Sequence, residues 1–233
     1  MPQPLVIAID GPAGAGKSTV ARKLAARLGL AYVDSGATYR AAALAVLENA
    51  ISPDDERAVA VRVAAADIRF ESEGAEPRVL LDGRDVSSQI RTSEVTLAAA
   101  RVSRMPEVRK KMVELQRRLA RQRGVVMEGR DIGTVVFPHS PLKIFLKADP
   151  EERARRRLGQ DREEGRGTTL EQTAYDIGRR DQLDAERKIS PLAAALDAIE
   201  IDSTRLSAND VVEKVLQLAR ARRLITFEFE IAD

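Results

Sequence analysis

The sequence predicts an α/β fold: a parallel five-stranded sheet with helices on both faces and a small antiparallel sheet inserted into it. Three observations predict it. Short apolar runs alternate with helical stretches along most of the chain, which is the pattern of successive βαβ units. A glycine-rich loop follows the first apolar run and opens a helix. Between about residues 68 and 86 the rhythm changes to short extended runs separated by turn residues.

The elements follow in order. Leu5–Ile9 is a short apolar run, as a buried strand should be. Lys17–Leu28 has helical spacing, with Val20, Leu24 and Leu28 on one stripe, and Gly29 stops it. Leu30–Val33 is a second strand ending in Asp34-Ser35-Gly36, followed by a helix from about Thr38 to Leu47. Pro53 opens another helix, to about Ala65. Ile68–Glu71, Arg78–Leu81 and Asp85-Val86 form the inserted antiparallel meander, with Gly74 and Asp82-Gly83 as its turns. Thr92–Val102 and Pro106–Arg121 return to helix. Gly124–Met127, Leu142–Leu146 and Ala198–Ile201 complete the five core strands. Asn209–Ala221 is a closing amphipathic helix capped by Asn209, and Ile225–Ile231 alternates with period two, as a strand does.

Composition limits the chemistry. The chain has 233 residues, enough for one α/β domain with insertions, and 44% hydrophobic residues, enough to fill its core. There is no cysteine, which excludes disulfides, thiolate metal sites and cysteine nucleophiles and fits a reducing cytoplasm. The N-terminus has no basic region followed by a long apolar one, and no apolar run approaches a membrane span, so neither signal peptide nor membrane association is expected. Net charge is only +2 and aromatics are 3%, so nucleic acid is not an expected partner. His139, the single histidine, is expected in an exposed loop, and one histidine cannot build a Ser-His-Asp or metal-His arrangement.

Gly11-Pro12-Ala13-Gly14-Ala15-Gly16-Lys17-Ser18 fits the phosphate-loop pattern G-x-x-x-x-G-K-[ST], with a strand before it and a helix after it. Backbone N–H groups freed at the helix start point at an anion, and the helix dipole favours negative charge there. Lys17 is placed to reach the β- and γ-phosphates of a nucleoside triphosphate, and the Ser18 hydroxyl to ligate Mg²⁺. In Asp34-Ser35-Gly36-Ala37-Thr38-Tyr39-Arg40 two readings stand: a capped helix with Arg40 on its surface, or an Arg40 that grips a second phosphate. Glu128-Gly129-Arg130-Asp131-Ile132-Gly133-Thr134 puts two charges and two glycines immediately after a strand. Arginine offers a planar fork to phosphate oxygens, and aspartate accepts from an exocyclic amine. Asp149–Arg166 is densely charged and punctuated by Gly159 and Gly165. It is either a solvated helix with i,i+4 ion pairs or a lid whose Arg153 and Arg157, four apart, point together at ATP. Arg180, Asp184 and Arg187 have helical spacing and either line a cleft together or lie on an exposed charged helix.

These strings resemble those of the bacterial-type cytidylate (CMP) kinase family, within the P-loop nucleoside monophosphate kinases. The resemblance runs from about Leu5 to about Ala221 and is carried by Asp10 to Thr19, Asp34 to Arg40, Glu128 to Pro138, and Asp202-Ser203-Thr204. It implies a P-loop NTPase fold in one kinase domain, 1–233. The core would be about 1–35, 104–148 and 168–224, the monophosphate-binding insertion about 36–103, and the lid about 149–167. It implies that Gly11 to Thr19, Arg153 and Arg157 bind ATP. Ser35, Arg109 and Asp131 would read the cytosine, Arg40, Arg130 and Arg187 would hold the acceptor phosphate, and Asp184 with Arg180 would meet the ribose. Lys17, Arg130 and Arg187 would carry the catalysis. Two departures from the family pattern stand out: Glu128 where an aspartate is common, and Ala100 where a serine often touches the base.

The expected reaction is ATP-dependent phosphorylation of CMP and dCMP to their diphosphates, with Mg²⁺ bound alongside ATP, by a cytoplasmic monomer of pyrimidine nucleotide metabolism. The nearest rival is a related P-loop kinase acting on UMP or on a small-metabolite hydroxyl such as that of shikimate. A P-loop GTPase or nucleotide-gated binding module is a further alternative, and no N-K-x-D guanine-reading string supports it.

Overall fold

The computed structural model describes residues 4–71, 78–121, 124–163, 165, 167–187 and 189–225. In chain order its elements are β1 (Val6–Asp10), α1 (Lys17–Arg27), β2 (Ala31–Asp34), α2 (Ser35–Glu48), α3 (Glu56–Ala65), β3 (Ile68–Glu71), β4 (Arg78–Leu81) and β5 (Arg84–Asp85). There follow α4 (Ser93–Val102), α5 (Pro106–Ala120), β6 (Val125–Gly129), β7 (Leu142–Lys147), α6 (Pro150–Glu163), α7 (Leu170–Ala185), β8 (Ile199–Asp202) and α8 (Ala208–Ala221).

Five strands form one sheet in the order β2-β6-β1-β7-β8, and β1 pairs in parallel with β6 and β7, as β7 does with β8. Strands covered on both faces read as continuous apolar runs, and β1 and β6 are buried almost throughout. From β1 the chain passes to β2 on one side, and from its neighbour β6 it passes to β7 on the other, so the strand order reverses between β1 and β6. In open α/β sheets such a switch point puts the ligand site beyond the carboxyl ends of the strands, here Asp10 and Gly129. The smaller sheet, β3-β4-β5, is antiparallel, as expected, and Asp82-Gly83 makes its second turn.

The chain divides into two compact units, with the cuts between Ala31 and Tyr32 and just before Gly124. In the unit that contains β1, α1 packs on β6 and α8, and α6 packs on α7. Ile7, Ile9, Leu24, Met127, Leu142, Ile144, Leu146 and Leu216 fill its core. The other unit has a core of its own, in which Val59, Val63, Leu81, Ile90, Val102, Val108 and Met112 are nearly inaccessible.

Several sequence-based boundaries move. The helix expected from Thr38 starts at Ser35, because the Asp34 carboxylate caps it by accepting the Ala37 N–H at 3.2 Å. Pro53 does not open α3; Asp55 caps it instead. The closing helix is capped by Ser207 rather than Asn209, because Ser207 and Asp210 form a reciprocal capping box, while the Asn209 side chain accepts from Lys23. Glu128 and Gly129 end a strand rather than follow one. Gly159 lies inside α6 instead of breaking it. A mid-helix glycine costs about 1 kcal/mol, and ion pairs Glu151–Arg155, Glu152–Arg156 and Arg157–Asp161 support that helix. One turn of π-helix, Ile132–Val136, went unforeseen; its N–H groups bond five residues back, Val136 to Asp131 and Phe137 to Ile132. The Gly74 turn and the tail strand beyond Ile225 lie outside the described residues. Among the described residues no helix is long and apolar enough to cross a membrane, and His139 is exposed in its loop.

Candidate active site

In the unit that contains β1, the loop from Gly11 to Gly16 joins β1 to α1, and Lys17 begins the helix. Gly14 has φ +74°, and a Cβ there would sit 2.7 Å from the Arg153 carbonyl oxygen and 2.9 Å from its Cβ. Only glycine meets both the conformation and the close approach. Lys17 is buried, and its ammonium donates to the Pro12 carbonyl at 2.7 Å. Burial pushes that ammonium down to about 7; the nearby Arg130 charge adds to the fall and Glu128 opposes it. A phosphate chain would bring the negative charge that this cation lacks.

Two arginines of α6 reach the loop. Arg153 is buried, donates to the Ala13 carbonyl at 3.0 Å and pairs with Asp181 of α7. The same Asp181 carboxylate accepts the Ala13 N–H at 3.1 Å, so a protein anion engages the loop's backbone. Arg156, which the sequence did not single out, donates to the Ser203 hydroxyl at 3.0 Å and carbonyl at 2.7 Å. The Ser203 hydroxyl lies 3.1 Å from the Ala15 carbonyl. Arg157, expected to point with Arg153, pairs with Asp161 on its own helix and is partly exposed.

Beyond β6, Arg130 donates through Nε to Asp184 at 2.8 Å, and Arg187 donates to the other oxygen of the same carboxylate. Asp184 is buried, which alone would raise its pKa; the Arg130 and Arg187 guanidiniums outweigh that and hold it below the usual carboxylate range. Arg187 lies just past the end of α7 and pairs back three residues. Arg180 is exposed on α7, and its charge acts on both Lys17 and Asp184. Asp131 is buried at the mouth of the π-turn. Asp10 at the end of β1 accepts the next two N–H groups, those of Ile132 at 2.8 Å and Gly133 at 2.7 Å. Burial raises Asp10 to about 6, against the lowering effect of those two bonds.

The other unit carries Ser35, Arg40 and Arg109. Arg40, one turn into α2, donates to the Asp34 carboxylate at 2.7 Å, so the capping residue and the arginine are one pair. Burial would raise the Asp34 carboxyl, but Arg40 holds it low. Ser35 is buried, and its carbonyl accepts from Thr38, which in turn accepts from the fully buried Gln116. Arg109 is buried, donates to the Ser103 carbonyl at 3.2 Å, and lies with its guanidinium 5.5 Å from the Tyr39 ring centroid.

A family model described as cytidylate kinase matches residues 7–221. A protein named cytidylate kinase from Caldicellulosiruptor bescii is 48% identical over 212 residues, covering 91% of this chain and 94% of that protein. Another from Mycobacterium leprae is 46% identical over 219 residues, covering 94% and 96%. Among solved structures, shikimate kinase from Acinetobacter baumannii in complex with shikimate aligns with a TM-score of 0.46 at 18% identity, over 96% of each chain.

Proposed function

The chain belongs to the cytidylate kinase family, and from that premise we propose that it transfers the γ-phosphoryl group of ATP to the 5′-phosphate of CMP or dCMP, giving the diphosphate and ADP. The observation that carries the reading is the pairing of Arg130 and Arg187 on one buried carboxylate, in the unit that holds the phosphate loop and its buried Lys17.

Two polyanions must meet for this transfer, and cations must offset their repulsion and the charge spread over the equatorial oxygens. Lys17 and the loop N–H groups hold the triphosphate, with Arg153 beside them. Arg130, Arg187 and Arg40 meet the acceptor phosphate, the first two also the group in transit. Asp184 fixes the first two guanidiniums before substrate arrives and, with Arg180, meets the ribose. Preorganised charge of this kind needs no rearrangement at the moment of reaction. The acceptor oxygen is already anionic at neutral pH, so no strong general base is required. Asp131 accepts from the cytosine amine, Arg109 donates to the ring acceptors, and Ser35 completes the base contacts. Uracil reverses the pattern at N3 and at the substituent on C4, and each good base contact discriminates by about 1–3 kcal/mol.

Among the described residues there is no cluster of three or more Asp, Glu, His or Cys side chains that could hold a metal. A magnesium ion that keeps its waters and arrives on the ATP phosphates needs little more than one protein oxygen, and the Ser18 hydroxyl at the start of α1 suits it. Bound there, it would neutralise phosphate charge. The same reading extends to a monomer acting in the cytoplasm on pyrimidine nucleotides.

A coupled phosphotransfer assay offering CMP, dCMP, UMP, AMP, GMP and shikimate in turn tests the proposal. CMP and dCMP should be phosphorylated far faster than the rest. Transfer to shikimate alone, or ATP hydrolysis without transfer, would remove it.

A further inference from the structure

Asp10 ends β1 one residue before the phosphate loop, and the reaction above gives it no task. Its carboxylate is 5% exposed, yet among the described residues no cation pairs with either oxygen at hydrogen-bond distance; each accepts a backbone N–H 122 or 123 residues away. Those donors, Ile132 and Gly133, are the first two residues of the π-turn, directly after Arg130 and Asp131. We propose that Asp10 is a positioning residue for acceptor recognition, whose carboxylate clamps the start of this turn and thereby sets the register of Arg130 and Asp131. The inference rests on the CMP reading.

Three features support it. The turn has no side-chain cap of its own, so the clamp supplies what its residues do not. Both oxygens are used, which fixes rotation as well as distance. A carboxylate retained for stability would be held below its ordinary value, whereas burial lifts this one to about 6, with Asp131 pushing the same way and Lys17 opposing. At neutral pH the charge is therefore a burden on the fold. A fold tolerates such a group where the site needs it.

The other side of the turn is also fixed. The Lys143 ammonium, buried on β7, donates to the Pro138 carbonyl at 2.5 Å and to Asp197 at 2.8 Å. A Cβ on Gly133 would stand 3.2 Å from Lys143 Cδ and 3.3 Å from Asp10 Oδ2. The turn is held between the two side chains, and a methyl group there would press on both until one gave by a few tenths of an ångström.

Two variants test the clamp by different routes. Asp10→Asn keeps the shape but turns an amine toward one N–H. Gly133→Ala leaves Asp10 intact and wedges the turn away from it. For each, kcat/KM is measured with CMP and with UMP, together with KM for ATP and the thermal midpoint. The expected result is a loss of about 10²-fold in kcat/KM for CMP and about tenfold in the CMP-to-UMP ratio. KM for ATP should stay near wild type, and the midpoint of Asp10→Asn should not fall. The ratio cancels the ionisation of the 5′-phosphate, which both substrates share. In a double variant with Asp131→Asn the two losses in the ratio should not add, because Asp10 acts through that residue. Should Asp10→Asn fail to fold, Gly133→Ala decides alone. Equal losses with CMP and UMP, or an unchanged ratio in a CMP-selective wild type, overturn the inference alone. A wild type that does not prefer CMP overturns the cytosine reading, and the inference falls with it.

Discussion

Asp184 holds two guanidinium groups at once, and that single carboxylate explains how like charges stay together in the unbound chain. Arg187 is expected to act on the group in transit more than on ground-state binding. Arg187→Ala should therefore lower kcat by about 10³-fold while KM for CMP moves little; steady-state kinetics with unchanged kcat would remove Arg187 from the catalytic set. Asp10 makes a separate prediction about stability. Its carboxyl titrates near about 6 in the fold and at its ordinary 3.8 when unfolded. The stabilisation that its protonation gives is fully present below the unfolded value and is lost as pH rises through the folded one. Relative to Asp10→Asn, the wild type should lose about 2 kcal/mol between about pH 4.5 and about pH 7.5 in denaturant titrations. A constant difference across that range would contradict the burial argument. At this scale the sequence pointed to Lys17 through the phosphate-loop string and to Arg130 and Asp131 through the charged string around the end of β6, whereas Arg187 was proposed only through the family resemblance, its own spacing leaving an exposed charged helix equally open. It could not show that Asp184 joins two arginines, that Arg156 rather than Arg157 turns toward Ser203, or that Asp10 reaches 122 residues along the chain. Each is a choice among neighbouring charges that only packing makes.

Among the elements, capping separated the correct boundaries from the expected ones. Ser207 and Asn209 are both good N-cap residues, but only Ser207 has an acid three positions on to return the bond. That signal lies in Ser207-Ala208-Asn209-Asp210, two residues before the expected start at Asn209. Ser207→Ala should cost about 1 kcal/mol, measured by urea unfolding, whereas Asn209→Ala should cost less. The reverse order would assign the cap to Asn209. Helix α6 was legible as charged but not as continuous, since glycine spacing suggested breaks that ion pairs and packing on α7 override. The π-turn left no periodic trace: it is five residues long, and its hydrogen bonds begin at Asp131, whose side chain the sequence reading reserved for the base.

Taken whole, the alternation of strand and helix was legible because parallel strands buried on both faces leave continuous apolar runs, and all five core strands were found within a residue or two. The inserted meander was legible from its short extended runs and the Asp82-Gly83 turn between them. Family membership adds a substrate class to a phosphate loop that by itself says only nucleoside triphosphate. The central claim is that a cysteine-free chain with one buried P-loop lysine and a clamped arginine pair phosphorylates CMP and recognises its base through the Asp131 carboxylate. The most direct test is a competition: equimolar CMP and UMP share limiting ATP, and CDP and UDP are separated and quantified for the wild type and for Asp131→Asn. The account expects CDP almost alone from the wild type, and a CDP-to-UDP ratio lower by about 10-fold or more in the variant. Equal CDP and UDP from the wild type, or the same ratio from both proteins, would contradict it.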